Sequence, residues 1–356
     1  MSAGFGIYLH VPFCTTRCDY CAFATWTDRH HLIDDYLAAC RQQADAVAGD
    51  LPPVTTVFVG GGTPNLVPAE QLMAVFEPLP LAVDAEFTVE CNPDLVTVDQ
   101  MRTYAESGVS RISLGVQSMV PEVLVTLGRA HDPANVRTAV DAVRAAGIER
   151  LNLDLIYGAV GETIDQWRAS VEGALALKPE HVSAYALTVE PGTPLADDPA
   201  RHPDDDVQAD KYVVADDLLE GAGLSNYEIS NWALPGEECR HNLLYWQQGE
   251  YLGLGVAAHS HVDGRRFWSI RTPDRFIKAM ATGDTTEAGS ETLDPEDREL
   301  EALQLAIRMR SGVPVEAVPD EVAHLVDVDQ ATGRASLTRD GRLLANEVAV
   351  RLLPTR

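Results

Sequence analysis

A chain of 356 residues, 46% of them hydrophobic, has ample material for a large buried core. Its formal net charge is −27, and Lys178, Lys211 and Lys278 are its only lysines, which argues against nucleic acid and anionic lipid surfaces as long-range partners. No apolar run is long enough to span a bilayer, and Met1 to Gly4 carry no sign of a leader, so the expected compartment is the cytoplasm.

Short apolar, β-branched segments alternate with longer segments of helical period. Strands are expected at Gly6–Val11, Thr56–Gly60, Glu86–Glu90, Arg111–Gly115, Leu151–Leu155 and His181–Leu187. Helices are expected at His31–Ala48, Pro68–Phe76, Val98–Ser107, Pro133–Ala146 and Ile164–Leu177, with Ser107-Gly108 and Ala146-Gly147 as stop signals. Such alternation implies an α/β fold with a parallel sheet, either doubly wound or a partial barrel. In both, chemistry gathers at the carboxyl ends of the strands. Pro191–Asp206 reads as a loop, after which a helix (Val207–Gly221) and a strand (Ser225–Ser230) resume. Gly253-Leu254-Gly255 lacks the βαβ surroundings of a dinucleotide fingerprint and reads as a turn lining the end of the barrel. Beyond residue 272 the alternation stops. A helix at Pro295–Arg310 with Asp294 as N-cap, a short strand at Ala335–Thr338, a turn at Arg339–Gly341 and a helix at Leu343–Leu353 look like a wing followed by a helix. The expected organisation is a main unit over 1–271 and a small helical or winged-helix-like unit over 272–356.

Three of the six cysteines crowd together as C-x3-C-x2-C: Cys14, Cys18 and Cys21, just after the first strand. In a reducing compartment that favours metal binding over disulfides. A structural zinc site needs a fourth ligand, and none sits nearby at finger spacing. Three thiolates suit a [4Fe–4S] cube with one iron left free to chelate the amino and carboxylate groups of S-adenosylmethionine (SAM). Zinc, or three merely buried thiols, are the alternatives. Cys40, Cys91 and Cys239 are scattered and read as small buried side chains.

With these cysteines the chain resembles the radical-SAM superfamily, which implies a partial (β/α)6 barrel. The resemblance puts Tyr20 at the position that packs on the adenine of SAM. Gly60-Gly61-Gly62-Thr63-Pro64, after the second strand, resembles the segment that binds the SAM amino group. It is no phosphate loop, because no Gly-Lys-Ser/Thr follows. Glu90, Gln117, Arg129 and Asp154 come from successive strand ends or loops. They match SAM-contacting positions of the oxygen-independent coproporphyrinogen III oxidase branch: Glu90 toward SAM, the others toward a second SAM or the substrate region. Tyr8, Ala186 and His259 fall at further matching positions.

Three features separate two branches of that group. The oxidase carries a further cysteine where Phe23 stands, and a long extension before the strand holding Tyr8; neither is present. Arg240-His241-Asn242-Leu243-Leu244-Tyr245-Trp246 contains an H-N-x-x-Y-W motif typical of HemW-type heme chaperones. The resemblance therefore implies a heme-binding protein that delivers heme to an acceptor protein, with an electron donor for its cluster and transient contact with membrane-bound acceptors. The competing reading is an oxidase that decarboxylates porphyrinogen propionates. His241 is the expected heme ligand, since imidazole can ligate heme iron; His259 and His261 lie near it in the sequence.

Overall fold

Six strands run parallel and in chain order through one sheet: β1 (Phe5–Val11), β2 (Val54–Gly61), β3 (Leu81–Cys91), β4 (Arg111–Gln117), β5 (Arg150–Tyr157) and β6 (His181–Ala186). This computed structural model describes residues 4–354, so Met1 and its two neighbours, part of the start read as leaderless, lie outside the described residues. Helices α1 (Ile33–Val47), α2 (Ala69–Ala74), α3 (Val98–Glu106), α4 (Pro121–Thr126), α5 (Pro133–Ala145) and α6 (Ile164–Leu175) link the strands, and α7 (Asp205–Gly221) follows β6. Their starts follow from side-chain chemistry. Thr97 and Asp132 accept from exposed first-turn N–H groups, and Thr163 with Gln166 forms a reciprocal capping box.

Alternation along the strands sorts the two faces of the sheet. Leu9, Val57, Val59, Phe87, Val89, Ile112, Leu114, Leu153 and Val182 pack under the helices in one continuous core. Their neighbours in sequence point into the lumen and are polar: Thr56, Glu86, Thr88, Ser113, Asn152, His181 and Ser183 are all buried. A parallel sheet covered on both faces needs such strands to be buried throughout; here much of the inner face is polar.

The sheet continues past both edges. β7 (Ser225–Glu228) and β8 (Asn231–Ala233) extend it antiparallel beyond β6. After α8 (Arg240–Trp246), β9 (Glu250–Leu254) pairs parallel with β1. β10 (His259–Val262), β11 (Arg265–Ser269) and, after α9 (Pro273–Thr282), β12 (Glu287–Thr292) complete twelve strands. The order runs from β12 at one end to β7 at the other, so the barrel is partial.

The expected boundary at 271/272 cuts through this body. Phe276 of α9 packs against Tyr36 of α1 with ring centroids 5.6 Å apart, and β12 pairs with β11. β12 (Glu-Ala-Gly-Ser-Glu-Thr) is a largely exposed edge strand, so its sequence lacks the apolar run that would announce it. A second apolar cluster begins only at Leu303. It joins α10 (Pro295–Ala306) to a small antiparallel sheet of β13 (Val313–Pro314), β14 (Val326–Asp329) and β15 (Arg334–Leu337). Asp294 caps α10 as expected. The turn expected at Arg339–Gly341 is instead the first turn of α11 (Arg339–Leu343), because Thr338 Oγ1 accepts from Gly341 N (2.9 Å). The helix expected over Leu343–Leu353 is reduced to α12 (Ala345–Ala349). Arg339 and Arg342 reach back to the fully buried Asp216 on α7 at 2.7 and 2.8 Å and tie this unit to the barrel.

Candidate functional site

β1 runs into a loop that holds all three clustered cysteines. Its neck is closed by Cys14 N donating to Trp26 O (3.1 Å) and Trp26 N donating to Pro12 O (2.8 Å). Inside it, Cys21 N donates to Cys18 O (3.1 Å), and Arg17 Nη2 donates to Cys21 O (3.2 Å). His10 fastens the loop from the lumen. Its Nε2 donates to Ala24 O (3.0 Å), leaving Nδ1 to accept from the Tyr8 hydroxyl (3.0 Å). His30 Nε2 donates to Cys14 O (2.8 Å).

Cys14, Cys18 and Cys21 are half-buried free thiols, whereas Cys40, Cys91 and Cys239 are buried. Burial pushes the Cys14 and Cys21 thiols up, so thiolate at these positions needs a positive partner. Two side chains already face the sulfurs as donors: Thr63 Oγ1 toward Cys14 Sγ (3.6 Å) and Arg129 Nη1 toward Cys18 Sγ (3.5 Å). Three half-buried thiols in one loop, two of them faced by donors, are a donor set of the kind an iron–sulfur cube takes.

The glycine segment lies against this loop. Gly62 N donates to Val11 O (2.7 Å) and Thr63 N to Phe13 O (2.8 Å). A Cβ on Gly62 would sit 2.7 Å from Phe13 O and 3.0 Å from Cys14 Sγ, and Gly61 has φ +110°. Both positions therefore require glycine. Gly61 N donates to Glu90 Oε2 (3.3 Å).

Glu90 ends β3 beside Asp154. Burial, and then the charge of Asp154, push its carboxyl up to about 8. No arginine, lysine or histidine pairs with Glu90 among the described residues, so a cationic ligand would relieve it. Asp154 is raised by burial too, although Ser113 Oγ (2.7 Å) and Asn152 Nδ2 (2.8 Å) donate to it. Gln117 holds φ +63°, unusual for a residue with a side chain, and its amide folds back over Gly115, where a Cβ would meet Nε2 at 2.8 Å. Arg129 Nη2 donates to Gly115 O (3.4 Å), while its buried Nε has no partner. Tyr20 packs on a small apolar cluster with Leu127, Ile156 and Leu187. Ala186 is the last residue of β6.

The cysteine loop, Gly61–Thr63, Glu90, Gln117 and Arg129 gather toward the carboxyl rim, Asp154 and Tyr8 lie deeper, within β5 and β1, and His241 is elsewhere. His241 is fully buried at the opposite end of the lumen. Its Nδ1 is 2.9 Å from Thr56 Oγ1 and its Nε2 2.7 Å from the Tyr245 hydroxyl. Its ring stacks on Phe58 (5.4 Å), and burial lowers its pKa to about 3. Thr56 lies five residues before Gly61, about 16 Å along the strand. Neither nitrogen of His241 is open to an iron in this arrangement. The helical motif buries the histidine on the face that closes the barrel floor.

Sequence reasoning assigned Thr63 to SAM but not to the support of Cys14, and it passed over His10 as a support of the loop and the ladder Ser113–Asn152–Ser183. Asn152 Nδ2 donates to both serine hydroxyls, at 2.7 and 3.0 Å. The available signal was polar residues set into three neighbouring apolar strands, where Ser113 pairs with Asn152 and Asp154 with Ser183. The structure also holds a cavity of about 570 Å³ between the segment after Cys21 and the face of β9–β11, lined by Tyr8, Phe23, Tyr245, Tyr251, His259 and His261 among others.

The model of the radical SAM superfamily matches residues 8–173. The heme chaperone HemW of Mycobacterium tuberculosis is 41% identical over 98% of this chain and 95% of its own length. That of Bacillus subtilis is 31% identical over 96% and 97%, and that of Escherichia coli 38% identical over 76% and 75%. Among solved structures, coproporphyrinogen III oxidase (HemN) from Escherichia coli, a radical SAM enzyme, superposes with a TM-score of 0.85 at 21% identity, covering 98% of this chain and 90% of that one. That likeness is one of fold, and it matches the partial barrel and the small unit behind it. Near full-length identity to several HemW proteins goes further: the chain belongs to the HemW heme chaperone family of the radical SAM superfamily.

Proposed function

We propose that this protein binds heme and passes it to an acceptor protein, and that it carries a [4Fe–4S] cluster on Cys14, Cys18 and Cys21 with SAM on the open iron. The observation that carries the reading is the cavity of about 570 Å³ beside the cysteine loop, in a chain that matches HemW chaperones from end to end. Its volume falls in the range of about 300–1,000 Å³ that holds cofactor-sized ligands.

When bound, the cluster supplies electrons and a Lewis-acidic iron. The chain supplies the rest. Thr63 and Arg129 donate toward two of the thiols, which holds negative charge on sulfur. The glycine segment lets backbone approach the SAM amino group. Glu90, lacking a cation of its own, accepts a positively charged ligand. Asp154 is aimed by Ser113 and Asn152 for ribose hydroxyls or a second ligand, and Tyr20 offers its ring to the adenine. No helix among the described residues is long and apolar enough to cross a membrane. Free cluster thiols belong in a reducing compartment, which supports a cytoplasmic protein that meets an electron donor and, transiently, membrane-bound heme acceptors.

Anaerobic cluster-loaded protein titrated with hemin should develop a stoichiometric Soret band, and apomyoglobin added afterwards should take the heme. With coproporphyrinogen III, SAM and a reductant, no decarboxylated porphyrinogen should form. Formation of protoporphyrinogen IX in that mixture would replace this reading with the oxidase one.

A further inference from the structure

One histidine lining the cavity has a single ring nitrogen engaged. His261, on β10, is only 7% exposed and lines the cavity. Its Nδ1 lies 3.0 Å from Gly249 O. A carbonyl can only accept, so Nδ1 carries a proton, and in the neutral ring Nε2 keeps its lone pair. Nε2 has no partner among the described residues. A ring locked in one tautomer by a backbone carbonyl, with the other nitrogen free, is the usual arrangement of a metal-ligating histidine.

The surroundings fit a porphyrin with propionates. Tyr251, which pairs with His261 across the sheet, and Phe23, 63% exposed just after the cysteine triplet, give aromatic walls. Arg271 lines the cavity and has no ion pair among the described residues. Arg266 and Glu301 also line it, but they pair with each other. The acid is therefore neutralised, and Arg271 is left as the cation for a carboxylate.

We propose that His261, not His241, ligates heme iron, with the porphyrin in the cavity between β9–β11 and the segment after Cys21, and with Arg271 pairing one propionate. This rests on the heme-binding reading above. It sets heme next to the cluster loop, on the side reached through Phe23.

Hemin is titrated into cluster-loaded wild type, His261→Ala, His241→Ala and Arg271→Ala, with far-UV melting curves for each. His261→Ala should weaken hemin binding at least about tenfold and shift the Soret maximum, and free imidazole should restore the wild-type band. Arg271→Ala should weaken binding severalfold and leave the band position unchanged. A folded His261→Ala that keeps the wild-type spectrum, or loses it beyond rescue by imidazole, overturns the assignment. So does loss of the band in a folded His241→Ala while His261→Ala retains it. Absence of any hemin band in wild type sinks the chaperone reading itself.

Discussion

Cys18→Ala should strip the protein of its cluster. Iron content should fall from about four atoms per chain to near zero, and the brown charge-transfer absorbance should vanish with it. Cys18 and its neighbours sit in one short loop whose closure depends on backbone bonds, Cys14 to Trp26 and Cys21 to Cys18, so the apo fold should survive the substitution. What the variant loses is one of three thiolates and the sulfur toward which Arg129 Nη1 donates. Two remaining thiolates cannot hold a cube that also keeps one iron for SAM. Iron and absorbance at wild-type levels in Cys18→Ala would contradict the ligand set.

The largest effect on stability is expected far from that loop. Lys211 and Glu162 are buried together between α7 and the turn before α6, with side chains 1% and 0% exposed. Lys211 Nζ donates to Glu162 Oε2 and to Glu162 O, both at 2.8 Å, and Gly158 N donates to the same Oε2 (2.8 Å). Lys211→Met keeps the volume of the stem and leaves the carboxylate unpaired in the interior. Removal of one member of a buried pair costs about 3–5 kcal/mol, which for a chain of this size lowers the melting temperature by about 5 °C. Adding Glu162→Gln removes the stranded charge, so the double variant should regain more than half of the loss. A Lys211→Met protein that melts with the wild type would show that the pair contributes nothing.

The parts of the site that were legible in the sequence are those written in consecutive residues. The cysteine triplet and Gly60–Pro64 each carry their geometry locally, since the loop must crowd its sulfurs and the glycines must let Cys14 approach. Strand ends could be read because apolar runs stop there, which placed Glu90 and Gln117; Asp154 lies three residues inside β5, which runs on to Tyr157. The turn expected at Gly253–Gly255 is only partly there: Gly253 and Leu254 end β9, paired with β1, and the chain turns from Gly255, where a Cβ would lie 2.2 Å from the Tyr36 hydroxyl.

What could not be read depends on pairing across distance. β9 lies beside β1, more than two hundred residues earlier, and no local pattern announces it. The support of Asp154 depends on the register of Ser113, Asn152 and Ser183 across three strands. The histidines show the same limit most clearly. His241 sits in a recognisable motif, yet Thr56 and Tyr245 occupy both its nitrogens. His261 has no motif, and its anchor is a carbonyl twelve residues back that only the fold of β9 and β10 brings within reach.

The direct test of the metal site is an electron paramagnetic resonance spectrum of the anaerobically loaded, reduced wild-type protein, recorded with and without SAM. An open iron bound to SAM changes its ligand field, so the cubane signal should shift in g-values when SAM is added, with sample iron near four atoms per chain. A spectrum indifferent to SAM, or a protein that takes up zinc in place of iron, would contradict the account.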